Sequence, residues 1–189
     1  MYGRTMRVLR VLAASLAAGV LLVPTAGAAA TPSRDSRHGD SRTVRHDVTY
    51  IAMFLPHHQT AVQMATVARD KATNPQVRRL AAHIVEEQSR QIAQMRAWLR
   101  KHDAEPMPPP APVREMNRQD IDMLRDARGV QVDRLFLMMM RPHHAQGVAE
   151  SEDEVEHGRN AFAVNLARTS VADQSREIAL MNDLLAALT

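Results

Sequence analysis

The stretch FLPHHQTAVQMA, from Phe54 to Ala65, decides the fold, because its Pro-His-His core returns 86 residues later at Pro142-His143-His144. At this offset residues 46–99 align with residues 132–185 without a gap, and 17 of the 54 aligned pairs are identical. Each copy has the size of one helical hairpin, which cannot bury its apolar face alone. Two copies can bury each other's faces, so the duplication predicts four helices related by a pseudo-two-fold axis.

Composition agrees with an all-α fold, since aromatic residues make up only 3% and helix formers dominate. The hairpins are predicted at 47–101 and 130–187 of a bundle spanning 47–188, with a Pro-rich linker at 103–114 and a short helix over 115–127. Asn74 and Pro75 indicate the start of the second helix, and Asp47 is predicted as an N-cap or first-turn acid. We expect an up-down-up-down four-helix bundle whose first and third long helices run parallel and lie diagonally opposite.

The N-terminus has the pattern of a secretory signal peptide over residues 1–30. Three arginines precede an apolar run of thirteen residues from Val11 to Val23, and small residues follow. That run is shorter than the ~20 residues that span a bilayer, so an uncleaved anchor is the weaker alternative. Residues 31–46 are polar and are predicted to form a flexible leader.

Charge and residue usage exclude several function classes. The chain has a net charge of +3, but the signal segment holds three arginines and no acid, which leaves 21 basic and 21 acidic residues. No basic stripe remains, so nucleic-acid binding is not expected. Cysteine is absent, which excludes disulfides and thiolate metal sites. No nucleophile arrangement, phosphate loop or dinucleotide fingerprint is present, and we predict that the protein is not an enzyme.

The histidine pairs are the candidate site. At 100° per residue, His57 and His143 fall in the middle of apolar stripes that contain Met53 and Met139, while His58 and His144 lie at the stripe edges. Pro56 and Pro142 inside the helices free a carbonyl four residues back and bend the axis there. A glutamine lies in the middle of each partner stripe at a similar height, and we expect these side chains to orient the imidazoles. The two are Gln88 and Gln174.

Imidazole and thioether donors together suit copper, Cu(I) in particular, whereas iron and manganese favour carboxylates. The chain holds nine histidines and twelve methionines. A methionine stripe alone is more often core packing, but two His-His pairs in one core leave many polar atoms to satisfy. Glu150 is the one acid on a histidine stripe. Two interpretations are open: it is a carboxylate ligand, or it marks a difference between the two halves. His83 is expected to be exposed.

Several stretches resemble the domain of unknown function 305 family. They are FLPHHQTAVQMA, FLMMMRPHHAQGVA (136–149), LAAHIVEEQSRQIAQM (80–95) and LARTSVADQSREIALM (166–181). The resemblance implies an exported, ferritin-like four-helix bundle, some of whose members bind copper through His and Met. Arg141 and Glu150 depart from the family pattern in the second half. The resemblance also implies a ligand set of six residues. The six are His57, His58, His143, His144, Met53 and Met139.

Two functions from different classes remain. The first is a secreted or periplasmic metal-binding protein that sequesters or delivers copper, with a metal ion and either a second copy or a metal-transfer protein as partners. The second is a structural or protein-interaction bundle without bound metal. After cleavage no stable membrane anchor is expected.

The signal peptide predicts that the mature protein begins near Ala29 or Thr31, because small residues occupy the positions before both sites. N-terminal sequencing of the secreted form checks this. Recovery of a secreted chain that still contains Arg4 would contradict it.

Overall fold

The computed structural model describes residues 34–188, with side chains from residue 45 onward, and its regular elements are all helices. The helices are α1 (Arg34–Lys71), α2 (Pro75–Lys101), α3 (Ala111–Asp126), α4 (Val130–His157) and α5 (Ala161–Ala187). The predicted all-α class is confirmed. The predicted signal peptide lies outside the described residues. Within the described part, each helix is too short or too polar to cross a membrane.

Two asparagines begin the second helix of each hairpin. The Asn74 side chain accepts hydrogen bonds from the backbone N–H groups of Gln76 and Val77, and Asn160 caps α5 in the same way. These caps satisfy donors that have no partner inside a helix. The short turns that they close make α1–α2 and α4–α5 antiparallel hairpins, as the duplication predicts.

Two boundaries differ from the predictions. Helix α1 begins at Arg34, so residues 34–46, predicted as flexible leader, continue the helix. Once a helix is nucleated by packing, each further residue costs little. Helix α3 begins at Ala111 inside the predicted linker, with Pro112 in its first turn. Proline is tolerated there because the first-turn N–H groups have no intrahelical partner.

Two aspartates fasten the hairpins to each other. Asp133 Oδ1 accepts a hydrogen bond from the Asn74 backbone N–H, and Asp47 Oδ1 accepts one from the Asn160 N–H, each at 2.9 Å. Asp47 therefore lies inside α1 and serves the start of α5, not the start of its own helix as predicted. The two contacts are equivalent under the 86-residue repeat.

The hairpins meet mainly through α1 and α4, and these helices run antiparallel. Tyr50, in the first half of α1, forms a hydrogen bond with Ser151 near the end of α4. The two hydroxyl oxygens are 2.9 Å apart. At the other end Asn74, just after α1, bonds Asp133 near the start of α4. The prediction that these helices are parallel and diagonally opposed is wrong.

Helix α3 explains the difference, since it carries the chain back along α1. The backbone N–H of Met107 donates to the Ala52 carbonyl at 2.8 Å, near one end of the bundle. At the other end Lys71 Nζ donates to the Arg125 carbonyl at the end of α3. A helix of 16 residues spans about 24 Å at ~1.5 Å per residue. The long helices therefore run up, down, down and up.

Two apolar clusters fill the bundle, one on each side of its middle. On α1 the first cluster contains the buried residues between Tyr50 and Leu55, and the second contains the buried residues between Ala61 and Ala68. The His57-His58 pair lies between them. The fold thus places the histidines at mid-height, with apolar side chains above and below.

Replacement of Met107 by Pro should lower the free energy of unfolding by about 1 kcal/mol. It removes the N–H that donates to the Ala52 carbonyl, which has no helical partner because Pro56 lacks an N–H. Urea unfolding measures the change. Met107→Ala is the control, since it keeps the N–H and removes the same exposed thioether. Equal effects of the two substitutions would show that this hydrogen bond does not stabilise the linker.

Candidate metal centre

His57 and His143 meet at the centre of the molecule. Their ring centroids are 3.8 Å apart and their planes differ by 27°. The two residues are 86 positions apart, so each repeat contributes the same residue to one contact. The pseudo-two-fold axis therefore passes between the rings, across α1 and α4. The predicted separation of these imidazoles across a diagonal gap does not occur.

A glycine makes room for the His57 ring. Gly147 occupies the position of Ala61 in the first repeat, and a Cβ added there would lie 2.9 Å from His57 Cε1 and 2.4 Å from Gln174 Oε1. The ring can thus lie against the α4 backbone, where its Nε2 donates to the His143 carbonyl at 3.1 Å. Both rings are half-buried at this interface between the hairpins.

His58 and His144 point into the two hairpins and are fully buried. His58 Nε2 donates to Gln91 Oε1 at 2.7 Å, and His144 Nε2 donates to Glu177 Oε2 at 2.8 Å. These bonds are equivalent under the repeat. Burial thus differs from the prediction, which placed the first histidine of each pair deepest.

The partners of these imidazoles also differ from the prediction. Gln91 and Glu177 come three residues after Gln88 and Gln174, which are buried but form no hydrogen bond to a described imidazole. Gln88 Oε1 and both polar side-chain atoms of Gln174 have no partner. The repeat itself carries the missed signal, because a polar residue stands at both equivalent positions.

The remaining ring nitrogens are unusual. Nδ1 is buried and without a hydrogen-bond partner in all four central residues, which are His57, His58, His143 and His144. In three of them Nε2 donates to an oxygen, so Nε2 carries the proton; Nδ1 of His57 and of His144 keeps a free lone pair, while the His58 ring also contacts the Phe54 carbonyl. A buried acceptor without a partner costs about 1–3 kcal/mol.

Burial keeps three of these rings, those of His57, His58 and His143, neutral. It lowers the pKa of His58 to about 4 and that of His143 to about 3, in both cases with repulsion from the neighbouring histidines. Burial and the adjacent His143 place the pKa of His57 well below its ordinary range. Neutral imidazole is the form that binds metals.

The two predicted thioethers flank the centre differently. Met53 lies one turn before His57 and is 44% exposed, while Met139 is partly buried against the apolar core. Glu150 is half-buried and accepts a hydrogen bond from Gln146, and burial raises its pKa. Arg141 is exposed and bonds Asn182. His83 is exposed, as predicted, and lies 3.8 Å from Glu177.

The side chains of the centre do not form a ready-made metal site. Across residues 45–188, no three His, Asp or Glu side chains are arranged to hold a metal ion. The result includes the four central imidazoles, so an ion at the histidine centre would require these side chains to rearrange.

The chain is similar to several proteins of known structure. A DUF305 protein from Streptomyces coelicolor, named as a candidate secreted protein, has 31% identity and a TM-score of 0.68, over 76% of this chain and 93% of that one. A DUF305 fragment from Deinococcus radiodurans has 28% identity and a TM-score of 0.67, with 75% and 96% covered.

The protein CopM, in a Cu(I)-bound form, has 31% identity and a TM-score of 0.63, over 72% of this chain and 93% of that one. CopM has also been solved with Cu(II) and with silver. No curated protein sequence matches the chain. Residues 47–185 match the family described as Domain of unknown function (DUF305), and the chain belongs to that family.

Proposed function

We propose that this protein binds copper outside the cytoplasm and sequesters or delivers it. The ligands proposed are the four central histidines together with two methionines. They are His57, His58, His143, His144, Met53 and Met139. The role as metal store or metal donor follows from the exported location that the N-terminal sequence predicts.

One observation carries the proposal, namely the four buried Nδ1 atoms that have no hydrogen-bond partner. The three assigned Nε2–H groups are held by a carbonyl, an amide and a carboxylate, as in sites where an outer partner orients a metal-binding imidazole. Coordination through Nδ1 would satisfy the unused acceptors. A purely structural bundle has no comparable use for them.

The donor chemistry favours a soft ion. Imidazole with thioether suits Cu(I), whereas carboxylate sites suit iron, manganese or calcium. CopM, whose structures hold copper and silver, is similar to this chain over most of its length. This similarity supports copper as the ion here.

The double replacement His57→Ala with His143→Ala should weaken Cu(I) binding by at least about 10–100-fold. That is the loss seen when a residue that only hydrogen-bonds a metal ligand is removed, and here the ligands themselves are removed. A competition titration with a chromogenic Cu(I) chelator measures the affinity and the stoichiometry. The control is His38→Ala with His102→Ala, which removes the same number of imidazoles outside the proposed ligand set. Unchanged copper binding in a folded double variant would favour the structural bundle.

The neutral state of the centre can be tested separately, in the presence of a metal chelator. The unfolded chain takes up a proton at His58 near pH 6.5, whereas the folded chain resists it until about pH 4. This contribution to stability is therefore present above pH 6.5 and is lost as the pH falls to 4. It amounts to about 3 kcal/mol.

Urea unfolding at several pH values should show a steeper loss of stability below pH 6.5 in the wild type than in His58→Gln. His102→Gln, which removes a histidine outside the centre, serves as control. Parallel curves for wild type and His58→Gln would contradict the buried neutral state.

A further inference from the structure

A second cluster of metal-ligating side chains lies away from the centre, where the C-terminal end of α4 meets α1. His46 Nε2 is 3.1 Å from Glu154 Oε2 and 3.6 Å from Asp153 Oδ2. His157 Nδ1 is 3.0 Å from Asp153 Oδ1, and the two histidine rings are 5.9 Å apart. Two imidazoles and two carboxylates from two helices thus share one small region.

The fold does not need this cluster, as the duplication shows. The equivalent residues at the other end of the molecule are mostly apolar. They are Val132 for His46, Val67 for Asp153, Ala68 for Glu154 and Lys71 for His157. The same helix junction is therefore built once from apolar packing and once from four polar side chains. The polar version calls for a reason other than folding.

Glu154 is the part of the cluster that points to a ligand. Its side chain is fully buried, and neither carboxyl oxygen forms a hydrogen bond of good geometry, although His46 Nε2 lies 3.1 Å from Oε2. Gly158 makes room for it, since a Cβ there would lie 2.3 Å from Glu154 Oε1. The first repeat has Ala72 at that position, opposite Ala68. Space has thus been opened for a buried carboxyl group.

The surroundings of Glu154 favour a cation. Burial raises the pKa of Glu154 to about 8; contact with the Asp47 carboxyl group, which favours the protonated form, and repulsion from Asp47 add to the shift. Buried carboxylates are normally paired or coordinate metals. A metal ion beside Glu154 would offset both the burial and the repulsion.

We propose that His46, Asp153, Glu154 and His157 form a second metal site, selective for a divalent ion of the Zn²⁺ or Cu²⁺ type. Two imidazole nitrogens and two carboxylate oxygens, without a thioether, are a donor set for such ions and not for Cu(I). The site is separate from the histidine centre and does not depend on the proposed copper function.

The donors are paired with one another in this structure, not arranged around one point. Ion binding would exchange the His46–Glu154 and His157–Asp153 pairs for metal bonds. The Asp153 and His157 side chains are 60% and 55% exposed, so they are free to turn towards an ion held by Glu154. His46 is less exposed and already faces the buried carboxyl group.

The test is a Zn²⁺ titration of the purified protein by isothermal calorimetry. The variant His46→Val with Glu154→Ala introduces the residues found at the equivalent positions of the other repeat, Val132 and Ala68. Because these residues are buried at the equivalent junction, the variant is expected to fold. It should lose one Zn²⁺ equivalent or bind that equivalent at least about tenfold more weakly. Its Cu(I) affinity should stay at the wild-type level.

The central double variant, His57→Ala with His143→Ala, should keep the Zn²⁺ equivalent at this cluster, so failure of one site is distinguishable from failure of the other. If circular dichroism shows that His46→Val with Glu154→Ala is unfolded, His157→Lys replaces it. That single exposed change copies the other repeat and should also weaken Zn²⁺ binding at least about tenfold. Wild-type Zn²⁺ binding by the folded variant overturns the proposal.

Discussion

The contact between the His57 and His143 rings is the constraint from which the architecture follows. Two equivalent residues can stack on each other only if the axis that relates the repeats passes between them. That axis lies across α1 and α4, so these helices must run antiparallel. The chain then needs α3 to return along α1 before α4 begins, and the close approach needs Gly147 in place of an alanine.

Burying four imidazoles costs free energy, because their polar nitrogens lose water. Hydrogen bonds at Nε2 offset this cost in three of the rings. Apolar clusters lie on both sides, and His58 and His144 are fully buried between them. Oxygens hold Nε2 of three rings, while Nδ1 remains unused in all four. The two halves differ in the hydrogen-bond acceptor at Nε2. His144 bonds the carboxylate of Glu177, whereas His58 bonds the amide oxygen of Gln91. A carboxylate partner makes an imidazole the stronger donor.

Divergence between the repeats separates what folding requires from what it does not. Asp47 and Asp133 keep the same role, since each fastens the start of a helix in the other hairpin. Tyr50 and Ser151 bond each other, whereas their equivalents Phe136 and Ala65 are apolar. The junction around Glu154 departs furthest, with a buried acid where the other copy has alanine. Retained contacts mark the fold, and charged exceptions mark candidate sites.

The sequence by itself determined the long helices, the Asn74 cap and the duplication, because hydrophobic period and capping act over a few residues, but it placed the starts of α1 and α3 and the role of Asp47 wrongly. It also identified the four histidines that the structure brings together at one level. Only the tertiary structure decided that α1 and α4 are antiparallel, because an axis along the bundle and an axis across it produce the same repeat. The imidazole partners, and the pairing of His46 with Glu154 across 108 positions, depend on that choice, since residues far apart in the chain meet only through packing.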